Sequence, residues 1–320
     1  MTKTTKRWLI IATFLLLIGC LIFGGVMTVY KWDFSKLSTN KYETNKYDIN
    51  DNFKNISVNV KTADIVFVAS ENAKAEVVCY EQDNANHEVS VDNDTLTIKL
   101  VDERKWYEYI GINFRTPKIT VYLPQGEYGN LTISSTTGDT KIPSNHTYNS
   151  IDISASTGDV ECHASTLDSI KIKLSTGNID IENLSAENID LTVSTGEIEA
   201  TSITCDGDFK TKVSTGEVEL DDISCKTLYS NGNTGHITLK DVVAEENFSI
   251  QRSTGDIKFE LCDANEIFIK TETGDVKGSL LSDKVFITQT DTGSVNVPKT
   301  TTGGKCEITT DTGDIKITVK

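Results

Sequence analysis

Carboxylates are the side chains in this sequence that recur at spacings able to do chemistry. Counted from the glycine of a repeated Thr-Gly pair, Asp159, Glu161, Asp180, Glu197, Glu199, Glu217 and Glu219 fill the plus-one and plus-three places of four consecutive copies. If the copies stack about 5 Å apart, those places make one outward column. Like charges held so close repel, and solvent screening or bound cations make them tolerable. Oxygen ligands of this kind suit Ca2+, so the column is a candidate cation-binding face. The competing reading is a solvated acidic surface, because the nonapeptide repeat of calcium-binding rolls is absent. Lys171, Lys173, Lys210 and Lys212 take outward places on the preceding strand, where they could neutralise part of the column.

The remaining reactive residues suggest no catalytic centre. Polysaccharide chemistry on a β-helix needs paired carboxylates in a cleft or a carboxylate and arginine cluster. Arginine outside the N-terminal segment is limited to Arg104, Arg115 and Arg252, and no repeat carries a long insertion to wall a cleft. A polysaccharide-active enzyme is therefore a minor alternative, and an ice-binding threonine array fits poorly because each threonine sits beside a corner glycine. Histidines are scattered and no Cys-x-x-Cys pair exists, which argues against a zinc site. Cys162, Cys262 and Cys306 fall on inward places held by Ile or Leu elsewhere and read as small core residues. Cys205 and Cys225 share the plus-nine place in adjacent copies, so a disulfide between them stays open.

The element that must carry the column is a repeat. Thr-Gly pairs place glycine at Gly138, Gly158, Gly177, Gly196, Gly216, Gly235, Gly255, Gly274, Gly293 and Gly313, every interval being 19 or 20 residues. Seven and five residues before the glycine stand apolar pairs such as Ile151 and Ile153; two and four after it stand pairs such as Ile179 and Ile181. Leu184, Ile203, Ile223, Val242 and Leu281 follow at plus-seven. Alternation of two with β-branched residues means strands, and three short inward faces per period mean a coil whose turns stack. Glycine is expected at the corner because a sharp bend needs positive φ. The fold class is thus all-β, a parallel β-helix or β-solenoid of ten turns over 131–320, roughly 48 Å long at about 4.8 Å per turn.

Residues 51–130 read as a first turn with Ala63 in the glycine's place, followed by a β capping insertion. Within it, Trp106-Tyr107-Glu108-Tyr109-Ile110 is expected to pack over the open end of the coil. At the other end Ile315, Ile317 and Val319 run to Lys320 without a cap, an exposed edge that invites end-to-end self-association. Residues 31–50 are polar and read as a stalk.

Trp8 to Tyr30 carries no charge over 23 positions, a length that covers roughly 34 Å as a helix. Lys3, Lys6 and Arg7 precede it, so 1–7 is expected inside the cell and the solenoid outside. Leu17-Ile18-Gly19-Cys20 supports an alternative, a lipoprotein processed at Cys20, although the apolar run continues past it. From Trp32 onward 27 basic residues face 47 acidic ones, which excludes a nucleic-acid footprint and favours cationic partners.

The string Ile119-Thr120-Val121-Tyr122-Leu123-Pro124, then Leu131-Thr132-Ile133 and the Thr-Gly-Asp array, resembles the putative-adhesin β-solenoid family. This is a domain of unknown function common in Gram-positive cell-surface proteins, and the likeness covers roughly residues 50–320. It implies a parallel β-helix and a role in the cell envelope, and it brings no catalytic residues. The leading expectation is a non-enzymatic, membrane-anchored scaffold or adhesin-like surface for a wall polymer or envelope protein. An accessory protein of an envelope-stress regulatory system, acting through protein contacts, is the alternative.

Overall fold

In the computed structural model, which describes residues 2–33, 41–71, 73–106 and 115–320, the alternating apolar residues form parallel strands stacked in register. Ile151 and Ile153 lie beside Leu131 and Ile133 on one side and beside Ile170 and Ile172 on the other. Val160 and Cys162 lie between Thr140 and Ile142 and Ile179 and Ile181 in the same way. Each inward side chain is thus covered by its counterparts one level above and below, and the core is a bundle of stacked columns.

All ten corner glycines have φ between 128° and 155°, a region open almost solely to glycine. At every corner but Gly293, which lies on the outermost level, the glycine N–H donates to the threonine carbonyl of the next level, as Gly196 does to Thr215 at 3.0 Å. A second corner, invisible in the sequence pattern, lies at plus-six. Asn183, Ser202, Asp222, Asp241 and Leu261 stand there with φ between 51° and 57°, where asparagine and aspartate are tolerated through local hydrogen bonding.

The N-terminal part comprises a helix α1 (Lys3–Val29) and strands β1 (Tyr42–Ile49), β2 (Asn55–Asn59), β3 (Asp64–Ala69), β4 (Ala75–Gln82), β5 (Ala85–Asp92), β6 (Thr95–Asp102) and β7 (Lys118–Leu123). β2 and β3 form the first turn of the coil, Ile56 beside Leu131 and Ile65 beside Thr140. β6 and β7 add a further parallel level, with Leu96 on Ile56 and Ile119 on Ile65. Direction then reverses: β5 runs antiparallel to β6, β4 to β7, and β1 to β4. The insertion therefore supplies a turn of the coil as well as its cover.

β1 corrects the reading of residues 31–50 as stalk. Tyr47 and Ile49 pack partly against the core while polar residues separate them, so the apolar signal of this edge strand was too thin to see. Residues 34–40 and Tyr107–Ile110 lie outside the described residues; Trp106, the described member of the aromatic stretch, is 77% exposed. α1 is capped by the Thr2 hydroxyl, and Thr13 and Thr28 donate their hydroxyls to the carbonyls of Leu9 and Gly24. That leaves a helix apolar and long enough to cross a membrane, a property shared by signal sequences.

The far end departs from chain order. The second half of Ile257–Thr273 pairs with Gly304–Thr312, placing Ile267 beside Cys306 and Ile269 beside Ile308. Lys284–Thr292 then pairs on the outer side of that strand, Phe286 beside Cys306. Val276–Leu280 likewise neighbours Ile315–Val319, which neighbours Val295–Asn296. The corner glycines consequently stack as Gly255, Gly274, Gly313, Gly293. The two turns differ at the paired inward places: at minus-five the inner turn carries Ile308 and the outer one Thr288, and at minus-seven the inner one carries Cys306 and the outer one Phe286. The link after Leu280 is too short to form a third strand. Leu281, expected inward, is accordingly exposed, and Leu280 pairs with Cys262 instead. The C-terminal turn is not the bare end; the outermost strand is Lys284–Thr292.

Candidate functional site

The plus-one aspartates hold the corners together. Asp64 Oδ1 accepts from the Asp139 backbone N–H at 3.1 Å, Asp139 from Asp159 at 3.0 Å, Asp159 from Asn178 at 2.8 Å, and Asn178 from Glu197 at 3.0 Å. The ladder resumes at His236, whose Nδ1 accepts from Asp256 N–H at 3.1 Å. It continues through Asp256 to Asp275 at 2.9 Å, Asp275 to Asp314 at 2.8 Å, and Asp314 to Ser294 at 2.7 Å. The Lys277 ammonium, then the Asp314 N–H, hold Asp275 below the usual carboxylate range; the Ser294 N–H does so for Asp314. This is the chemistry behind Thr-Gly-Asp: a short carboxylate or amide satisfies a corner N–H that a bent strand would leave orphaned.

Between the two runs the ladder breaks. Glu197 and Glu217 stand at plus-one, and their longer side chains do not take up the backbone bond. One carboxylate oxygen each from Glu197, Glu217 and Glu219 lies within 4.8 Å of the others. Burial first, then the charges of Glu219, Glu217 and Glu199, hold the Glu197 carboxyl above its ordinary range. Alongside runs a groove of about 330 Å³ lined by Asp139, Lys141, Asp159, Glu161, Asp180, Glu197 and Glu199 among others.

The predicted acidic column therefore divides. Asp159 is a ladder member, and Glu161 is ion-paired with Lys141 and lies 3.7 Å from His163 Nε2. Asp180 is raised, mainly by burial. Glu197, Glu199, Glu217 and Glu219 make no ion pair among the described residues. The flanking lysines do not neutralise them: Lys210 pairs with Asp208 at 2.6 Å and lies 5.7 Å from the Tyr229 ring centre. Lys171 and Lys173 share the pre-glycine face with Asp190 and Thr192, around the corner from the column.

Cys162, Cys262 and Cys306 are buried as expected, and Cys205 and Cys225 are register partners, both buried as free thiols. Arg252 is also buried, its Nη1 donating to the Val213 carbonyl at 2.9 Å across the space left by Gly232. Burial lowers that guanidinium to about 10. One cluster leaves no mark in the sequence pattern. In the cap, Cys79, Glu81 and His87 are all buried and bring ligand atoms within 4.8 Å of one another. Cys79 and Glu81 alternate on one face of β4 while His87 arrives on β5, so sequence spacing alone gave no metal-site signature.

Removing a ladder rung should register in stability. Asp159→Ala, which strands the Asn178 N–H, is expected to lower unfolding free energy by about 1 kcal/mol. Urea denaturation followed by circular dichroism reads this, and an unchanged midpoint would show that water replaces the bond at no cost.

Residues 53–212 and 204–320 each match the family described as Toastrack DUF4097. Among solved structures, a putative adhesin from Bacteroides fragilis is 17% identical, with 87% of this chain and 97% of that one covered and a TM-score of 0.47. A putative adhesin from Parabacteroides distasonis is 12% identical over 76% of this chain and 98% of that one, with a TM-score of 0.50. A putative lipid binding protein from the same species is 19% identical over 75% and 95%, with a TM-score of 0.45. No curated protein matches the chain.

Proposed function

Since this chain belongs to the Toastrack DUF4097 family, we propose that it is a non-enzymatic, membrane-tethered scaffold whose solenoid faces outward and binds a cationic envelope partner at the ladder break. One observation carries the reading. In an array whose corner carboxylates are otherwise engaged by backbone N–H groups, Glu197 and Glu217 interrupt the ladder, and with Glu199 and Glu219 they leave four carboxylates without cations among the described residues. Repulsion among them is relieved by a partner bearing amines, such as a basic protein segment or an amine-carrying wall polymer. α1 supplies the tether, with Lys3, Lys6 and Arg7 favouring an inward N-terminus.

The test uses intact cells carrying the full chain. Crosslinking followed by solubilisation should recover wall polymer or an envelope protein. The quadruple variant Glu197→Gln, Glu199→Gln, Glu217→Gln, Glu219→Gln should lose that recovery while melting no lower than the parent. Recovery of a membrane sensor without any affinity for isolated wall would instead support the regulatory-accessory reading. Undiminished wall binding by the quadruple variant would refute the ladder break as the contact.

A further inference from the structure

We propose that Cys79, Glu81 and His87 form a binding site for a divalent transition metal ion of the zinc class inside the N-terminal cap. The donor set is soft thiolate, imidazole and carboxylate, the combination such ions take in four-coordinate sites with three protein ligands. Ligand atoms around a tetrahedral ion stand roughly 3.3 to 3.8 Å apart, so atoms already within 4.8 Å of one another need to close by about 1 Å. Charge also balances: a carboxylate and a thiolate neutralise a divalent cation, and a neutral complex is the form that a buried site tolerates.

The surroundings hold these ligands in place. Glu81 Oε1 accepts from Asn45 Nδ2 at 2.7 Å, and Oε2 accepts from the His87 backbone N–H at 2.7 Å and lies 2.6 Å from His87 Nδ1. The Tyr47 hydroxyl donates to the His87 carbonyl at 2.9 Å. Backbone and carboxylate are thus pinned from two strands, as the outer shell of a metal site requires.

What this network leaves over points to a ligand. His87 is 3% exposed and its Nε2 has no hydrogen-bond partner among the described residues, although a buried ring nitrogen ordinarily finds one. Cys79 is fully buried two places from a carboxylate on the same face of β4. A hydrogen-bonded Glu81–His87 pair has no use for the buried thiol beside it; an ion taken by Nδ1, the carboxylate and the thiol accounts for it, with Nε2 left on the far edge of the ring. An ion here would bind the β4–β5 hairpin into the cap.

Cobalt(II) alone is the probe, added to the full chain purified in detergent, reduced and stripped by a chelator. One equivalent should produce a thiolate-to-cobalt charge-transfer band with tetrahedral d–d absorption, both displaced by zinc. Cys79→Ala and His87→Gln should each abolish the tetrahedral spectrum. Asn45→Ala, acting through Glu81, should weaken affinity about tenfold. Glu127→Gln, at an exposed position outside both carboxylate clusters, should change nothing. A folded parent without the charge-transfer band, or a band that survives Cys79→Ala, overturns the site. If Cys79→Ala fails to fold, His87→Gln decides, because it keeps the thiol and its packing.

Discussion

Ending the chain after Gly303 is expected to strip hydrogen-exchange protection from residues it leaves in place, those of Lys284–Thr292 above all. The reason is the inverted order of the last two turns. Lys284–Thr292 pairs with Gly304–Thr312 and Val295–Asn296 with Ile315–Val319, so the deletion takes away the partner of the outermost level. It also removes Cys306, Ile308, Ile315 and Ile317, each at most 3% exposed. Burying such an isoleucine contributes about 1.5–3 kcal/mol, and Ile267, Ile269 and Val276 are uncovered in turn. Exchange mass spectrometry reads the outcome directly. A stack built in chain order predicts the opposite, loss confined to the deleted turn, and unchanged protection of Lys284–Thr292 would refute the inversion.

Gly216→Ala should cost more than about 3 kcal/mol, among the largest effects of any single methyl group in the chain. Two penalties coincide. The residue has φ 139°, which alanine adopts only under strain, and a Cβ would stand 1.8 Å from the Gly196 carbonyl oxygen. That oxygen is backbone, fixed by the adjacent corner, so relief requires two levels to separate and breaks the stacking that buries Val218 and Leu220. Gly126→Ala is the control. It adds a methyl group with no neighbour within 4 Å, and should stay within about 0.5 kcal/mol. Denaturation midpoints for the pair, followed by circular dichroism, would expose a corner that relaxes freely if the two variants matched.

The corners and inward faces were legible because each rests on one residue class at one offset: glycine at the bend, and branched apolar residues at minus-seven, minus-five, plus-two and plus-four. The plus-six corner was not, since Asn183, Ser202, Asp222, Asp241 and Leu261 share a backbone angle but no chemistry. Stacking order escaped for a deeper reason. Every turn obeys the same pattern, so periodicity fixes what a turn looks like and is blind to its neighbours; Thr288 at minus-five is no signal, because Thr211 and Ser230 stand there in turns stacked in chain order. The acidic column was visible as composition, yet its division into ladder aspartates and unengaged glutamates depends on one methylene. The cap cluster was hidden by geometry, because the β4–β5 hairpin brings together residues whose spacing follows no metal-site rule.

The inverted end also has a temporal side. As the polypeptide emerges from its N-terminus, each turn through Gly274 can dock on its predecessor as soon as it appears, in the order of synthesis. Residues 284–296 cannot: their place lies beyond strands not yet made, and Phe286 must wait uncovered until Gly304–Val319 has been laid against Ile267 and Val276. Closure of these levels is therefore postponed until Gly304–Val319 arrives, and a nascent chain stalled short of it presents an open, adhesive edge to the cell's quality-control proteases.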